Sequence, residues 1–216
     1  MKNIFFSIVV SLALSLSANA TIIPSLMGGA PAFNGTDFNW YYSVVLSGSE
    51  KITVAGDGAR LSNFYFMTIY DFLLTPATTP VFAGDAGLPA GASFAVSVQP
   101  IGITPLATSP IDSPAVANIT LTYTGSVNIG GGAGASDITL GVLTARSLYN
   151  QVVNADFQTA SQAIKHSFPT NSTEGDPDIN VTSVLLPSGA PEPSTMFLFG
   201  SGLIGLALLR RRLGKR

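Results

Sequence analysis

Asn63-Phe64-Tyr65-Phe66-Met67-Thr68-Ile69-Tyr70-Asp71 is the stretch on which the fold turns. It is aromatic and β-branched, with no glycine or proline, and reads as a strand. Strand side chains alternate sides, so Phe64, Phe66, Thr68 and Tyr70 share one face. Tyr65, Met67, Ile69 and Asp71 share the other. Both faces are largely apolar, so the strand is expected to lie centrally, covered on both sides.

Similar runs recur to either side. Phe38 to Ser47 (FNWYYSVVLS) reads as a strand, and Gly48-Ser49 suits a turn into a second at Lys51 to Ala55. Ala92 to Gln99 alternates, with Phe94, Val96 and Val98 on one side. Val116 to Thr124 sets Ile119, Leu121 and Tyr123 against Asn118, Thr120, Thr122 and Thr124. Ile138 to Ala145 and Ile179 to Leu186 are further strands, and Ala155 to His166 fits a short helix or a strand. Pro100 to Pro114 has no regular pattern and reads as a loop. Gly130 to Gly134 reads as a flexible turn. Seven or eight short strands joined this way predict an all-β body, an antiparallel β-sandwich or a jelly-roll-like arrangement, with an open barrel as the alternative.

Composition narrows the chemistry. The 216 residues include no cysteine, so the fold holds by packing without disulfides or thiolates. The one histidine, His166, rules out multi-histidine metal sites. Between residues 21 and 190, eleven acidic residues face four basic ones (Lys51, Arg60, Arg146, Lys165), leaving the body near −7. Nucleic acid is not an expected partner, because binding it needs clustered lysine and arginine.

The two ends read as addresses. Lys2 is followed by the apolar and small-residue stretch Ile4 to Leu16, and Ala18-Asn19-Ala20 fits the small-x-small rule of signal peptidase. A cleavable signal peptide over residues 1–20 is expected. At the other end, Pro191-Glu192-Pro193 precedes the 14-residue apolar run Met196 to Leu209, which stops at Arg210-Arg211-Arg212. As a helix the run spans about 21 Å at about 1.5 Å per residue, short of the roughly 30 Å of a bilayer core. A short transmembrane helix is expected, with the arginines held on the cytoplasmic side. Residues 21–186 then form the β-rich exported domain, 187–190 a linker and 191–216 the sorting segment.

Pro-Glu-Pro, a short apolar segment and a basic terminus together resemble the PEP-CTERM protein-sorting signal. The resemblance implies a bacterial protein, Gram-negative by expectation, that is exported and held transiently in the inner membrane. It implies an exosortase-like transpeptidase acting near Pro191, Glu192 and Pro193, which would be substrate residues rather than catalytic ones. It also implies a final place at the cell surface or in an extracellular polysaccharide matrix. Tyr41 to Leu46, Thr68 to Phe72 and Leu121 to Gly125 are similar in order to a body that recurs in some PEP-CTERM proteins. These motifs are short and apolar and read as core strands.

No catalytic constellation emerges. Asp176, Asp178 and Asn180 alternate as oxygen ligands do in a calcium loop. However, Val181 stands where such a loop needs glycine, and the later bidentate acid is missing, so a solvated acidic loop is the preferred reading. Asp57 and Asp85 sit in glycine-flanked turns. The glycine run lacks the Gly-Lys-Ser/Thr of a phosphate cradle, and His166 has no Gly-x-Ser-x-Gly partner. Trp40-Tyr41-Tyr42 could stack on sugar rings. Neighbours on a strand point to opposite sides, so at least one ring is internal, and core packing is the preferred reading. The sequence therefore predicts a non-enzymatic exported surface or matrix protein with a structural or adhesive role and no cofactor. The alternative is a carbohydrate-binding module, calcium-assisted or not, associated with extracellular polysaccharide.

Overall fold

A computed structural model describes residues 22–54, 65–105, 108–130, 135–165 and 177–189, without the side chains of 156–157, 162–165 and 177–178. The leader, the Asp57 turn, most of the glycine run, His166, Glu174, Asp176 and the sorting segment lie outside the described residues. In chain order the strands are β1 (Ile22–Leu26), β2 (Ala32–Phe33), β3 (Phe38–Leu46), β4 (Glu50–Ile52), β5 (Phe66–Phe72) and β6 (Val81–Gly84). They continue with β7 (Phe94–Gln99), β8 (Ala117–Tyr123), β9 (Ile129–Gly130), β10 (Ile138–Ser147), β11 (Gln151–Lys165) and β12 (Pro177–Ser188). Among the described residues there is no α-helix, only a 3-10 turn at Met27–Gly29.

All described pairings are antiparallel and form two sheets. One has five strands in the order β1-β3-β10-β6, with β2 extending β1's side of β3. The other has seven strands in the order β7-β8-β5-β11-β4-β9, with β12 along the far side of β11. Strand β5 lies between β8 and β11, as the apolar character of both its faces predicts.

The sheets stack to form an all-β sandwich. Alternation in β3 turns Trp40, Tyr42, Val44 and Leu46 inward, all fully buried. They meet Met67, Ile69 and Phe72 of β5 and Ile119, Leu121 and Tyr123 of β8 in one core. The Phe72 ring stands edge-on to Trp40 at 6.1 Å and to Tyr42 at 6.3 Å, arrangements favoured by ring quadrupoles.

One expectation is corrected here. Simple alternation puts Asp71 on the Ile69 face, but the register between β5 and β8 slips between Ile69 and Phe72. Asp71 takes a φ of 53°, where Asp is tolerated better than most residues. The bulge carries Phe72 into the core and turns Asp71 away, where its amide donates to Asn118 Oδ1 at 2.9 Å and its carboxylate accepts from the Ser113 amide at 2.9 Å.

The outer face of β5 is covered by loop residues on either side of 106–107, chiefly Gly102, Ile103 and Asp112. Thr68 and Tyr70, both fully buried, donate to the Ile103 carbonyl at 2.9 and 2.8 Å. Gly102 lies flat on them, since a Cβ there would meet the Tyr70 ring at 2.5 Å. Asp112 fastens the loop by accepting from the Gly102 amide at 3.0 Å and the Asn118 side chain at 2.9 Å.

The stretch that fitted helix or strand is the second half of β11. Its Thr159, Ala160, Ser161 and Gln162 pair with β5 on one side, and 159–164 pair with β12 on the other. Having neighbours on both edges outweighs the helical leaning of its alanines and glutamines. Strand β12 runs through Ser188, into the residues read as linker.

Candidate functional site

Asn34 closes the turn between β2 and β3. Its Oδ1 accepts from the amides of Thr36 and Asp37, each at 3.1 Å. This directs the Asp37 side chain inward, where the residue is 1% exposed. Asp37 Oδ1 accepts from Asn34 Nδ2 and, at 3.0 Å, from Nε of Arg146 on β10. Burial opposes ionisation of this carboxyl. Hydrogen bonds from Arg146, Asn34 and Thr75, together with the Arg146 charge, outweigh it and hold the pKa below the ordinary carboxylate value. Asp37 Oδ2 and Thr75 Oγ1 are buried without well-formed hydrogen bonds of their own, although Thr75 still helps to hold the carboxyl ionised. Among the described residues the group offers one carboxylate, already neutralised by its arginine, with no second acid or base bonded to it. It staples a turn to β10 and has the makings of a structural cluster rather than a reactive one.

The aromatic triplet offers no sugar platform. Trp40 and Tyr42 are both fully buried and stack on one another at 6.5 Å, while Tyr41 points the other way. Trp40 Nε1 donates to the Tyr149 carbonyl at 3.2 Å, and the Tyr42 hydroxyl donates to the Leu185 carbonyl at 2.7 Å. Burial pushes the Tyr42 phenol far above its ordinary pKa. Burial also raises Tyr70, to about 12, with the Asp112 charge adding to the rise and the Thr104 and Thr68 hydroxyls moderating it.

An open depression of about 310 Å³ lies where β6 and β7 meet, lined by Phe82, Asp85, Leu88, Ser93 and Phe94 among others. The Phe82 and Phe94 rings meet edge-on at 5.1 Å, and Phe94 meets Tyr123 in the same way at 5.2 Å. Asp85 is in the turn predicted for it and accepts from the Gly87 amide at 2.8 Å. Among the described residues it is the only titratable side chain in that lining.

Of the predicted site residues, Ala18, Ala20, Asp176, Pro191, Glu192, Pro193, the Met196 to Leu209 run and Arg210 to Arg212 lie outside the described residues. Asp178 and Asn180 fall in β12, opposite Ala163 and Ser161, rather than in a loop. Among the described residues no group of three or more His, Cys, Asp or Glu side chains could hold a metal ion. Sequence reading missed the Asp37–Arg146 pair, although Asn34-x-x-Asp37 is the signature of a side-chain-closed turn.

No curated protein matches the chain significantly. A solved structure named "The unique CBM3- of Hungateiclostridium clariflavum" is 15% identical, covering 80% of this chain and 99% of its own, with a TM-score of 0.30. Residues 190–212 match the family model described as the PEP-CTERM protein-sorting motif, so the chain carries that motif almost directly after β12, the last described strand.

Proposed function

We propose that the chain is a non-enzymatic, exported bacterial protein whose sandwich is delivered to the cell surface or extracellular matrix, where it serves a structural or adhesive role. The leader is removed after Ala20. The apolar run Met196 to Leu209 then holds the chain in the inner membrane, with Arg210, Arg211 and Arg212 on the cytoplasmic side, until an exosortase-like transpeptidase acts near Pro191-Glu192-Pro193. The single observation that carries this reading is the sorting-motif match at residues 190–212, which begins two residues beyond the end of β12. Cleavage after Ala20 would also leave β1 whole, since that strand starts at Ile22.

The test is the C-terminal mass of the protein recovered from its host, alongside a variant with Pro191, Glu192 and Pro193 replaced by alanine. Loss of the tail in the parent and its retention in membrane-bound, unprocessed variant is the expected result. Normal release of the variant would refute the role given to the motif.

A second reading, a carbohydrate-binding module, is favoured by one feature, the depression with its Phe82 and Phe94 rings and the Asp85 carboxylate. A glycan array probed with and without chelator tests it. Absence of binding to every glycan would remove this reading and leave the first intact.

A further inference from the structure

Five exposed apolar side chains lie at one end of the sandwich, Val152 and Val153 on opposite sides of β11. Ser147 of β10 pairs with Phe38 of β3, and Phe38 pairs with Phe33 of β2, so these residues share one level. The chain then turns through Leu148 and Tyr149 into β11, where Val152 and Val153 pair with Pro187 and Leu186 of β12. Phe33 is 64% exposed, Leu148 54%, Tyr149 41%, Val152 37% and Val153 42%. Leu148 and Tyr149 lie where the chain crosses from β10 of one sheet to β11 of the other, a connection where glycine, asparagine or aspartate would be the ordinary polar choice. Phe33 packs one side of its ring on Phe38 at 5.2 Å, yet all five side chains remain largely in water, and apolar area left exposed at one end of a fold marks a contact.

The same end is where the chain leaves for the sorting motif. Ser188 pairs with Gln151, and Gly189 lies against the Tyr149 ring. From Gly189 to Met196 is seven residues, which reach at most about 25 Å even fully extended. A body tethered that closely keeps this end near the bilayer while the apolar run is inserted. Charge agrees. The body is acidic as a whole, yet no charged residue occurs from 21 to 36, from Ser147 to Ala155 or from Ile179 to Gly189, and the neighbouring Asp37 and Arg146 neutralise one another. Uncharged polar residues, Asn150, Gln151 and Asn154, surround the apolar ones, a mixture suited to the headgroup region, where tyrosine is also at home.

We propose that this end of the sandwich, through Phe33, Leu148, Tyr149, Val152 and Val153, rests on the phospholipid interface while the sorting tail is in the membrane. The inference depends on the reading of Met196 to Leu209 as the inserted segment. Its consequence is to hold Pro191-Glu192-Pro193 at the membrane surface, within reach of a membrane-embedded processing enzyme.

The cysteine-free chain permits unique labels. Full-length protein carrying an environment-sensitive fluorophore at Leu148→Cys or Val153→Cys is reconstituted in phosphatidylcholine vesicles, some containing lipids with a nitroxide near the headgroup. A label at Ser49→Cys, in the turn at the opposite end, is the control. Unfolding followed by Trp40 fluorescence verifies each variant, and two patch positions are used so that one surviving variant suffices. Flotation of the vesicles with blue-shifted, nitroxide-quenched emission at 148 or 153, but not at 49, is expected. Flotation with patch labels that behave like Ser49 overturns the inference and leaves the tail reading standing. Failure to float overturns both. A blue shift without nitroxide quenching shows a protein cover, either a second copy or the tail itself, and also overturns it.

Discussion

Replacing Tyr42 with phenylalanine removes one oxygen from the middle of the sandwich and nothing else. The ring keeps its stack on Trp40 at 6.5 Å and its edge contact with Phe72 at 6.3 Å. What is lost is the 2.7 Å bond to the Leu185 carbonyl, which joins β3 of one sheet to β12 of the other. A net hydrogen bond contributes about 0.5–1.5 kcal/mol, and a carbonyl left partly buried without its donor adds to the cost, so the expected loss is about 2 kcal/mol. For a domain of this size that lowers the melting temperature by about 4–8 °C. Urea unfolding followed by fluorescence of Trp40, the only tryptophan in the chain and fully buried, reads the change. The midpoint should fall with the slope unchanged. A second readout comes from pH. Burial raises the Tyr42 pKa in the folded state, so the stabilisation is fully present below its ordinary value of 10.0 and is lost as pH rises above it. The parent should therefore lose stability above about pH 10 more steeply than Tyr42→Phe, by about 1.4 kcal/mol per pH unit. An unchanged midpoint together with an unchanged alkaline slope would refute the bond and the burial alike.

Asp37→Asn should destabilise the protein at neutral pH, because the charge-assisted bond to Arg146 is lost. The folded Asp37 pKa lies below its ordinary 3.8, so its stabilisation is present above that value and is lost as pH falls through the lower one. Urea midpoints compared at about pH 6 and about pH 2.5 should therefore show a smaller acid loss in the variant than in the parent. Gly141→Ala should cost at least about 2 kcal/mol by urea titration, since φ there is 149° and the new Cβ would meet the Ala83 carbonyl at 2.2 Å, forcing β6 away from β10. Phe72→Ala removes the ring shared by Trp40 and Tyr42 and should cost about 3–5 kcal/mol, with a red-shifted Trp40 emission as water approaches; unshifted emission would place Phe72 outside the core.

Much of the core was legible because it obeys a period of two. Trp40, Tyr42, Val44 and Leu46 alternate inward as written, and Ile119, Leu121 and Tyr123 do the same. The central place of β5 was legible too, from two apolar faces, but what covers its outer face was not. Nothing local says that Gly102 and Ile103 fold back onto Tyr70, because that contact depends on Asp112 and Asn118 holding the loop. The bulge at Asp71 escaped for a similar reason, since its partners, Ser113 and Asn118, are distant in the chain. Strands β1 and β6 were missed because Pro24 breaks the first as a pattern, and the second is only four residues long. Both gain their form from neighbours, β3 and β10, rather than from propensity. The sorting motif needed no fold to be seen, because its order of residues is itself the signal. The apolar end at Leu148 and Tyr149 lay hidden, since in sequence the pair looks like one more piece of core.

The first and last described strands are where a body of this kind is weakest, because terminal strands fray unless something ties them down. Each is bonded to the opposite sheet. The Ile22 amide of β1 donates to Ser161 Oγ on β11 at 3.3 Å, and the Leu185 carbonyl of β12 accepts from Tyr42 on β3 at 2.7 Å. In the proposed route these are the strands that adjoin the leader and the tail, the two segments by which the export machinery would handle the chain. With no cysteine to staple either end, cross-sheet hydrogen bonds provide the closure that disulfides supply in many secreted domains. A load applied through the tail then reaches β12 first. That strand can yield only by breaking its long pairing with β11 and the Tyr42 bond as well, so the sandwich is held at the place where anchoring would pull on it.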